Sequence, residues 1–273
     1  VATSVAAAAA AAGVEILQLD NRFDSETAVR NAEEFVAKRV DLVLEFQVEE
    51  AVAPRIAHIF KKADIPLIAI DVPHPNATYF GVDNFECGYE AGNLLAQHAL
   101  RKWKGKAEWV LGVGFPEAGS FVQSRIGGAF DAVRAHLPHL ADSCFLEIDG
   151  RGQREPSRKA AAAFLAAYPA SRRILVAAAT DSSALGVLDA ARELGREADI
   201  AIASQDCIPE AVEEMRSGRS ALIGSVSHAA ETYGSRLIQL GIALLRGYAV
   251  PPYNYVRHLV VTTESLLKEE EEG

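Results

Sequence analysis

The sequence predicts an α/β fold of two doubly wound, Rossmann-like lobes, each a parallel sheet with helices on both faces. Three observations carry that expectation. Short apolar runs of strand length alternate with segments whose apolar residues recur at helical spacing, as helix-connected parallel strands require. A polar break, Lys102 to Lys106 (KWKGK), interrupts the alternation, which then starts again. Several apolar runs end abruptly in hydrogen-bonding side chains. Ile174 to Ala179 stops at Thr180 and Asp181. A helical segment comes next, with Leu185, Leu188, Ala191 and Leu194 about a turn apart and Gly195 to end it. Ile200 to Ala203 then stops at Ser204, Gln205 and Asp206. In open parallel sheets that carboxyl edge is where ligands bind.

Taken in order, the chain opens in a helix that includes the alanine run Ala6 to Ala12. Val14 to Asp20 (VEILQLD) reads as a strand, and Asp24 and Ser25 offer N-cap chemistry to a helix with Ala28, Val29, Ala32, Phe35 and Val36 on one face. Leu42 to Phe46 is the next strand, Val52 to Ala63 the next helix, and Leu67 to Asp71 (LIAID) the strand after it. A turn, VPHPN, leads to a short strand from Tyr79 to Asp83 and a helix over 84–101. Beyond the break come strands at Glu108 to Gly114 and Phe145 to Asp149, with helices around Phe121 to Val133 and over 156–168. Pro209 starts a helix where its missing N–H costs nothing, and Leu222 to Ser227 is a strand. A long helix over 230–246 and a final strand, Asn254 to Thr262, complete the chain. The first strand of a doubly wound sheet is central, so one more strand is expected to precede Val1.

Composition narrows the function classes. With 49% apolar and 23% charged residues the chain is an ordinary globular protein, not a disordered one. A formal net charge of −10 argues against a nucleic-acid surface, which needs clustered Lys and Arg. Cys87, Cys144 and Cys207 are odd in number and lack CxxC spacing, so neither a disulfide framework nor a zinc site is expected. No apolar run reaches the roughly 18 residues of a membrane span. The alanine run lacks the basic flank of a signal peptide. Gly112, Gly114 and Gly119 come after a strand but do not make GxGxxG, and there is no GxSxG elbow or HExxH pair. Asn76-Ala77-Thr78 fits a glycosylation sequon, a match common by chance. His136 and His139 read as surface residues, and the run from Lys268 to the C-terminus reads as a solvated tail. Neither a metal nor a cofactor is expected.

Seven segments in order carry a family resemblance: VDLVLEF at 40–46, IPLIAIDVP at 65–73, GVDNFECGYEAG at 81–92, SRIGGAFDAV at 124–133, AATDSSALGVLDAA at 178–191, IAIASQDCIPEAVEEMRSG at 200–218 and IGSVSHAAETYG at 223–234. Together they resemble the type I periplasmic binding proteins, the ribose/galactose-type sugar receptors of ABC transporters. The effector cores of lactose-repressor-like regulators share that fold. The resemblance implies two lobes joined by a three-crossing hinge, which close on a small polar ligand held between the carboxyl edges of both sheets. By position it places the crossings near Gly105, His228–Ala229 and Arg257–His258. The lobes would then be 1–105 plus 229–257 and 106–228 plus 258–273.

A sugar hydroxyl both donates and accepts, so a selective site needs carboxylates and guanidinium. The resemblance places Asp71 at a carboxylate position of the family, Arg125 at its ligand arginine and Asp206 at its second carboxylate. Thr180 falls where an asparagine or similar residue is usual, and His228 where ribose receptors carry glutamine. Gln205 replaces an aromatic that often stacks on the sugar, Glu45 a neutral amide, and Val72 an arginine. All but Val72 are expected to line the ligand; Asp181 is expected to be the N-cap of its helix. The resemblance thus implies a monomeric, non-enzymatic, extracytoplasmic receptor for a sugar or polyol, with an ABC transporter permease or membrane receptor as partner. The alternative is the effector core of a regulator, which a DNA-binding module in the gene would reveal. An α/β enzyme is a third reading, with no nucleophile–base motif behind it.

Overall fold

The computed structural model describes residues 1–22 and 24–272. The chain runs α1 (Ala2–Ala12), α2 (Ser25–Lys38), β1 (Val43–Phe46), α3 (Ala53–Lys62), β2 (Leu67–Ile70), β3 (Thr78–Gly81), α4 (Asn84–Trp103), β4 (Trp109–Gly114), α5 (Gly119–His136) and β5 (Phe145–Asp149). It continues with α6 (Arg154–Ala167), β6 (Ile174–Ala178), α7 (Asp181–Glu193), β7 (Ile200–Gln205), α8 (Pro209–Arg216), β8 (Leu222–Ser227), α9 (Tyr233–Leu245), β9 (Tyr253–Tyr255), β10 (Leu259–Thr262) and α10 (Thr263–Glu272). Helix starts obey local chemistry. Asp24 Oδ2 accepts from Thr27 N at 2.8 Å to cap α2, and Asp83 Oδ1 accepts from Phe85 N and Glu86 N at 3.1 and 3.2 Å to cap α4. No described helix is long and apolar enough to cross a membrane.

The residues group into two units. One holds Val1–Val82, Glu117–Gly119 and Ala229–Arg257; the other holds Asp83–Pro116, Ser120–His228 and His258–Gly273. In the first, four parallel strands lie in the order β1-β2-β3-β9. β2 is buried along its whole length, as its unbroken apolar run requires of a strand covered on both faces. Ala28, Val29, Ile56 and Phe60 bring α2 and α3 onto this sheet. Helix α1 lies against α9, where Gly234 comes so near that a Cβ would sit 2.0 Å from the Ser4 carbonyl oxygen.

The second sheet has the order β10-β8-β7-β6-β4-β5, parallel except for β10, which runs antiparallel to β8. Strand β4 lies between β5 and β6, so the chain leaves it to one side and returns on the other. That reversal is a topological switch point, the place where a crevice opens beyond the strand ends. The core on one face gathers Leu111, Val113, Phe164, Val176, Leu188 and Ile202.

Three expectations are corrected. Val14 to Asp20 forms no ladder, and Val14, Ile16 and Leu17 are exposed. Strand preference is local but pairing is not, and among the described residues β1 pairs only with β2. The expected final strand is two: β9 extends the first sheet, and β10 joins the second after the chain changes unit at Arg257/His258. Finally, α4 belongs with the second unit, which begins at Asp83, and not with a lobe ending at Gly105. Its apolar residues Cys87, Ala91, Leu95 and Ala99 are buried, and it lies against β6, β7 and β8. The polar break at 102–106 is therefore the end of α4 and the turn after it, inside one unit.

Candidate functional site

In the second unit, the switch-point edge is occupied by one connected group of polar side chains. Arg125, on α5, is 6% exposed. Its Nε donates to Asn84 Oδ1 at 2.6 Å and its Nη1 to the Ala179 carbonyl at 2.8 Å, tying the guanidinium to the start of α4 and the end of β6. Small residues make this possible. A Cβ on Gly88 would come within 2.0 Å of the Arg125 carbonyl oxygen, and one on Gly128 within 2.2 Å of the Phe85 carbonyl oxygen. Helices α4 and α5 thus touch backbone to backbone at the level of Arg125.

Asp206 comes directly after β7, its Oδ1 3.9 Å from Arg125 Nη1 and 3.5 Å from His228 Nδ1. Gln205 Nε2 donates to the Cys87 carbonyl at 3.0 Å, which leaves its Oε1 facing His228 Nε2 at 3.3 Å. With the Nε2 proton directed at that oxygen, Nδ1 turns a lone pair toward Asp206. Burial keeps His228 neutral by holding its pKa well below the ordinary value, and Arg125 and His258 push the same way. Burial raises the Asp206 carboxyl, and the Arg125 guanidinium opposes the rise. About a third of the Asp206 side chain (34%) remains accessible, so the carboxylate can still meet a solute. A guanidinium donor beside two adjacent acceptors is the complement of hydroxyl groups that accept from one and donate to the others.

Thr180 stands at the neighbouring strand end, but its hydroxyl serves the fold. Oγ1 accepts from Ser183 N at 3.1 Å and lies 3.1 Å from the Gly152 carbonyl oxygen. Thr180, and not Asp181, is therefore the N-cap of α7. Asp181 is fully buried instead. Its carboxylate accepts from Ser204 Oγ, from Ser225 Oγ at 2.7 Å and from Ile208 N at 2.8 Å. Burial pushes its pKa up to about 6 against the pull of those bonds. Nothing in the sequence marks Asn84 or Asp181 as part of this group. Both sit at helix starts, where Asn and Asp are ordinary.

The first unit carries its own strand-end group. Glu45 and Asp71 lie at the carboxyl ends of the paired strands β1 and β2. Asp71 has a φ of 60° and its Oδ1 accepts from Tyr233 Oη at 3.2 Å. Gly81 makes room for it, since a Cβ there would sit 2.5 Å from that oxygen. Val72 is buried, an apolar residue in the core beside the carboxylate. Glu45 is 5% exposed and accepts from Asn21 Nδ2 at 3.0 Å; burial pushes its carboxyl up to about 7, the Asn21 bond opposing. Gln47 is buried close by, its Oε1 accepting from Glu49 N at 3.2 Å. Among the described residues no cluster of His, Cys, Asp or Glu is arranged to hold a metal ion.

The Glu45 shift has a measurable consequence. The folded chain holds the proton more tightly than the unfolded one, whose carboxyl sits near 4.5. The stabilisation is fully present below that value and is lost as pH rises through about 7. Glu45→Gln is expected to remove this loss, worth about 3 kcal/mol. Thermal unfolding followed between acid and mildly alkaline pH checks it. Parallel pH profiles for parent and variant would mean that Glu45 titrates normally.

A family model described as a periplasmic binding protein domain matches residues 1–249. No curated protein matches the chain. Solved structures do. An ABC transporter periplasmic solute-binding protein from Actinobacillus succinogenes 130z with bound D-allose is 21% identical, with a TM-score of 0.81 over 98% of this chain and 93% of that one. A solute-binding protein from Bacillus halodurans C-125 with bound myo-inositol is 20% identical, with a TM-score of 0.81 over 99% and 92% of the two chains. The binding component of the arabinose ABC transporter from Shewanella sp. ANA-3 is 20% identical, with a TM-score of 0.82 over 99% and 89%. At such identities the likeness establishes the fold.

Proposed function

The chain belongs to the periplasmic binding protein domain family, and from that premise we propose that it is a receptor for a sugar, polyol or similar small polyhydroxylated solute. It works outside the cytoplasm as a monomer and hands its ligand to an ABC transporter permease or a membrane receptor. The observation that carries the reading is the connected group Arg125–Asp206–His228–Gln205 at the switch-point edge of the second sheet. Its mixture of guanidinium, carboxylate, imidazole and amide suits hydroxyl groups, and the similar structures hold D-allose, myo-inositol and arabinofuranose. Asp71 and Glu45 form a separate strand-end group of acceptors within the first unit. Thr180 contributes chiefly by capping α7.

Binding and release, with no bond made or broken, is the chemistry these groups support. Micromolar affinity corresponds to about 8 kcal/mol. A few charge-assisted hydrogen bonds at about 1.5–3 kcal/mol each reach that after ordering costs. Calorimetric titration of the chain with a panel of pentoses, hexoses and polyols tests the reading. Saturable one-site binding of at least one member is expected, and heat of dilution alone across the whole panel would sink it.

A further inference from the structure

Asp206 stands in an unusual backbone. It has a φ of 105° and Cys207 one of 54°, two consecutive side-chain-bearing residues in a region that favours glycine. Such a conformation persists only where the surroundings over-determine it. Here every peptide N–H of the bend is tied. Asp206 N donates to the Val226 carbonyl at 2.9 Å, Cys207 N to Ser225 Oγ at 3.1 Å and Ile208 N to Asp181 Oδ2 at 2.8 Å. Ser225 Oγ in turn donates to Asp181 Oδ1, which also receives Ser204 Oγ from the end of β7. One fully buried carboxylate therefore grips the bend directly at Ile208 and, through Ser225, at Cys207. The bend decides where the Asp206 side chain lies relative to Arg125 and His228.

We propose that Asp181 is a positioning residue, whose carboxylate holds the Asp206–Ile208 bend and so sets Asp206 against Arg125 and His228. The inference rests on the reading of Asp206 as a ligand residue, and it adds a second layer beneath the group already described. A cap of α7 would be indifferent to the bend; Asp181 does not cap α7, and its carboxylate holds β7, β8 and the start of α8 instead.

The whole chain is the test object. Asp181→Asn keeps the volume and one acceptor oxygen but turns the other into a donor. Ser225→Ala removes only the relay to Cys207 and covers the case in which the first variant does not fold. Without ligand, the NMR carboxyl-carbon shift of Asp206 and the ring shifts of His228 are expected to move in both variants; signals that stay at their parent positions overturn the proposal. With whichever of D-allose, myo-inositol or L-arabinose binds the parent, Asp181→Asn is expected to weaken binding about tenfold alone and to add nothing in an Asp206→Ala background. An equal further loss in both backgrounds would mark Asp181 as merely structural. If the parent binds none of the three, the sugar reading is what fails, and the ligand-free spectra still decide on Asp181.

Discussion

Replacing Arg125 with alanine is expected to weaken sugar binding about 30-fold or more, the low end of what truncating one member of a buried charge pair costs. The effect has two parts. The ligand loses the guanidinium, and Asp206, 3.9 Å away, loses the cation that opposes its desolvation. The fold suffers as well, because Asn84 Oδ1 and the Ala179 carbonyl lose their donor. Each such loss costs about 1–3 kcal/mol where no water replaces the bond. Arg125→Lys separates the parts. It keeps the charge but cannot reproduce the fork that reaches Asn84 and Ala179 together, so the thermal stability is expected to fall while some affinity survives. Calorimetry and thermal unfolding on both variants provide the check. Full affinity in Arg125→Ala would remove the guanidinium from the site.

What the sequence reveals and what it hides divide along one line, local against non-local. The strand–helix alternation, the cap at Asp24 and the polar strand ends are local patterns, and they are legible. Whether Val14 to Asp20 becomes a strand depends on a neighbour distant in sequence, and its apolar residues alone predict a ladder that does not form. The placing of α4 turns on which sheet its apolar face covers, and a polar helix end and turn at 102–106 resemble a lobe boundary equally well. The same line runs through the site. Arg125 and Asp206 are visible through family spacing, and the structure brings them together. Asp181 is hidden because Thr180 and Asp181 are both good cap residues. Only Ser204, Ser225 and Ile208, brought in from β7, β8 and the bend, reveal which one faces inward.

The second large effect is expected at Gly88, where a single methyl group should damage both the fold and the site. A Cβ there would lie 2.0 Å from the Arg125 carbonyl oxygen, and backbone cannot rotate away as a side chain can. Helices α4 and α5 must then separate by about an ångström, at a cost of about 1–3 kcal/mol for overpacking. The better helix propensity of alanine, about 1 kcal/mol over glycine, recovers only part of it. Gly127 provides the internal control. It lies on the same helix as Arg125, it is exposed, and a Cβ on it meets nothing within 4 Å. Gly127→Ala should therefore be neutral or stabilising, and Gly88→Ala destabilising with weakened sugar binding, because α5 carries the guanidinium with it. Thermal unfolding and calorimetry on the two variants read the contrast directly. Equal stability in both would mean that the helices do not meet backbone to backbone, and the tight seating of Arg125 would lose its physical basis.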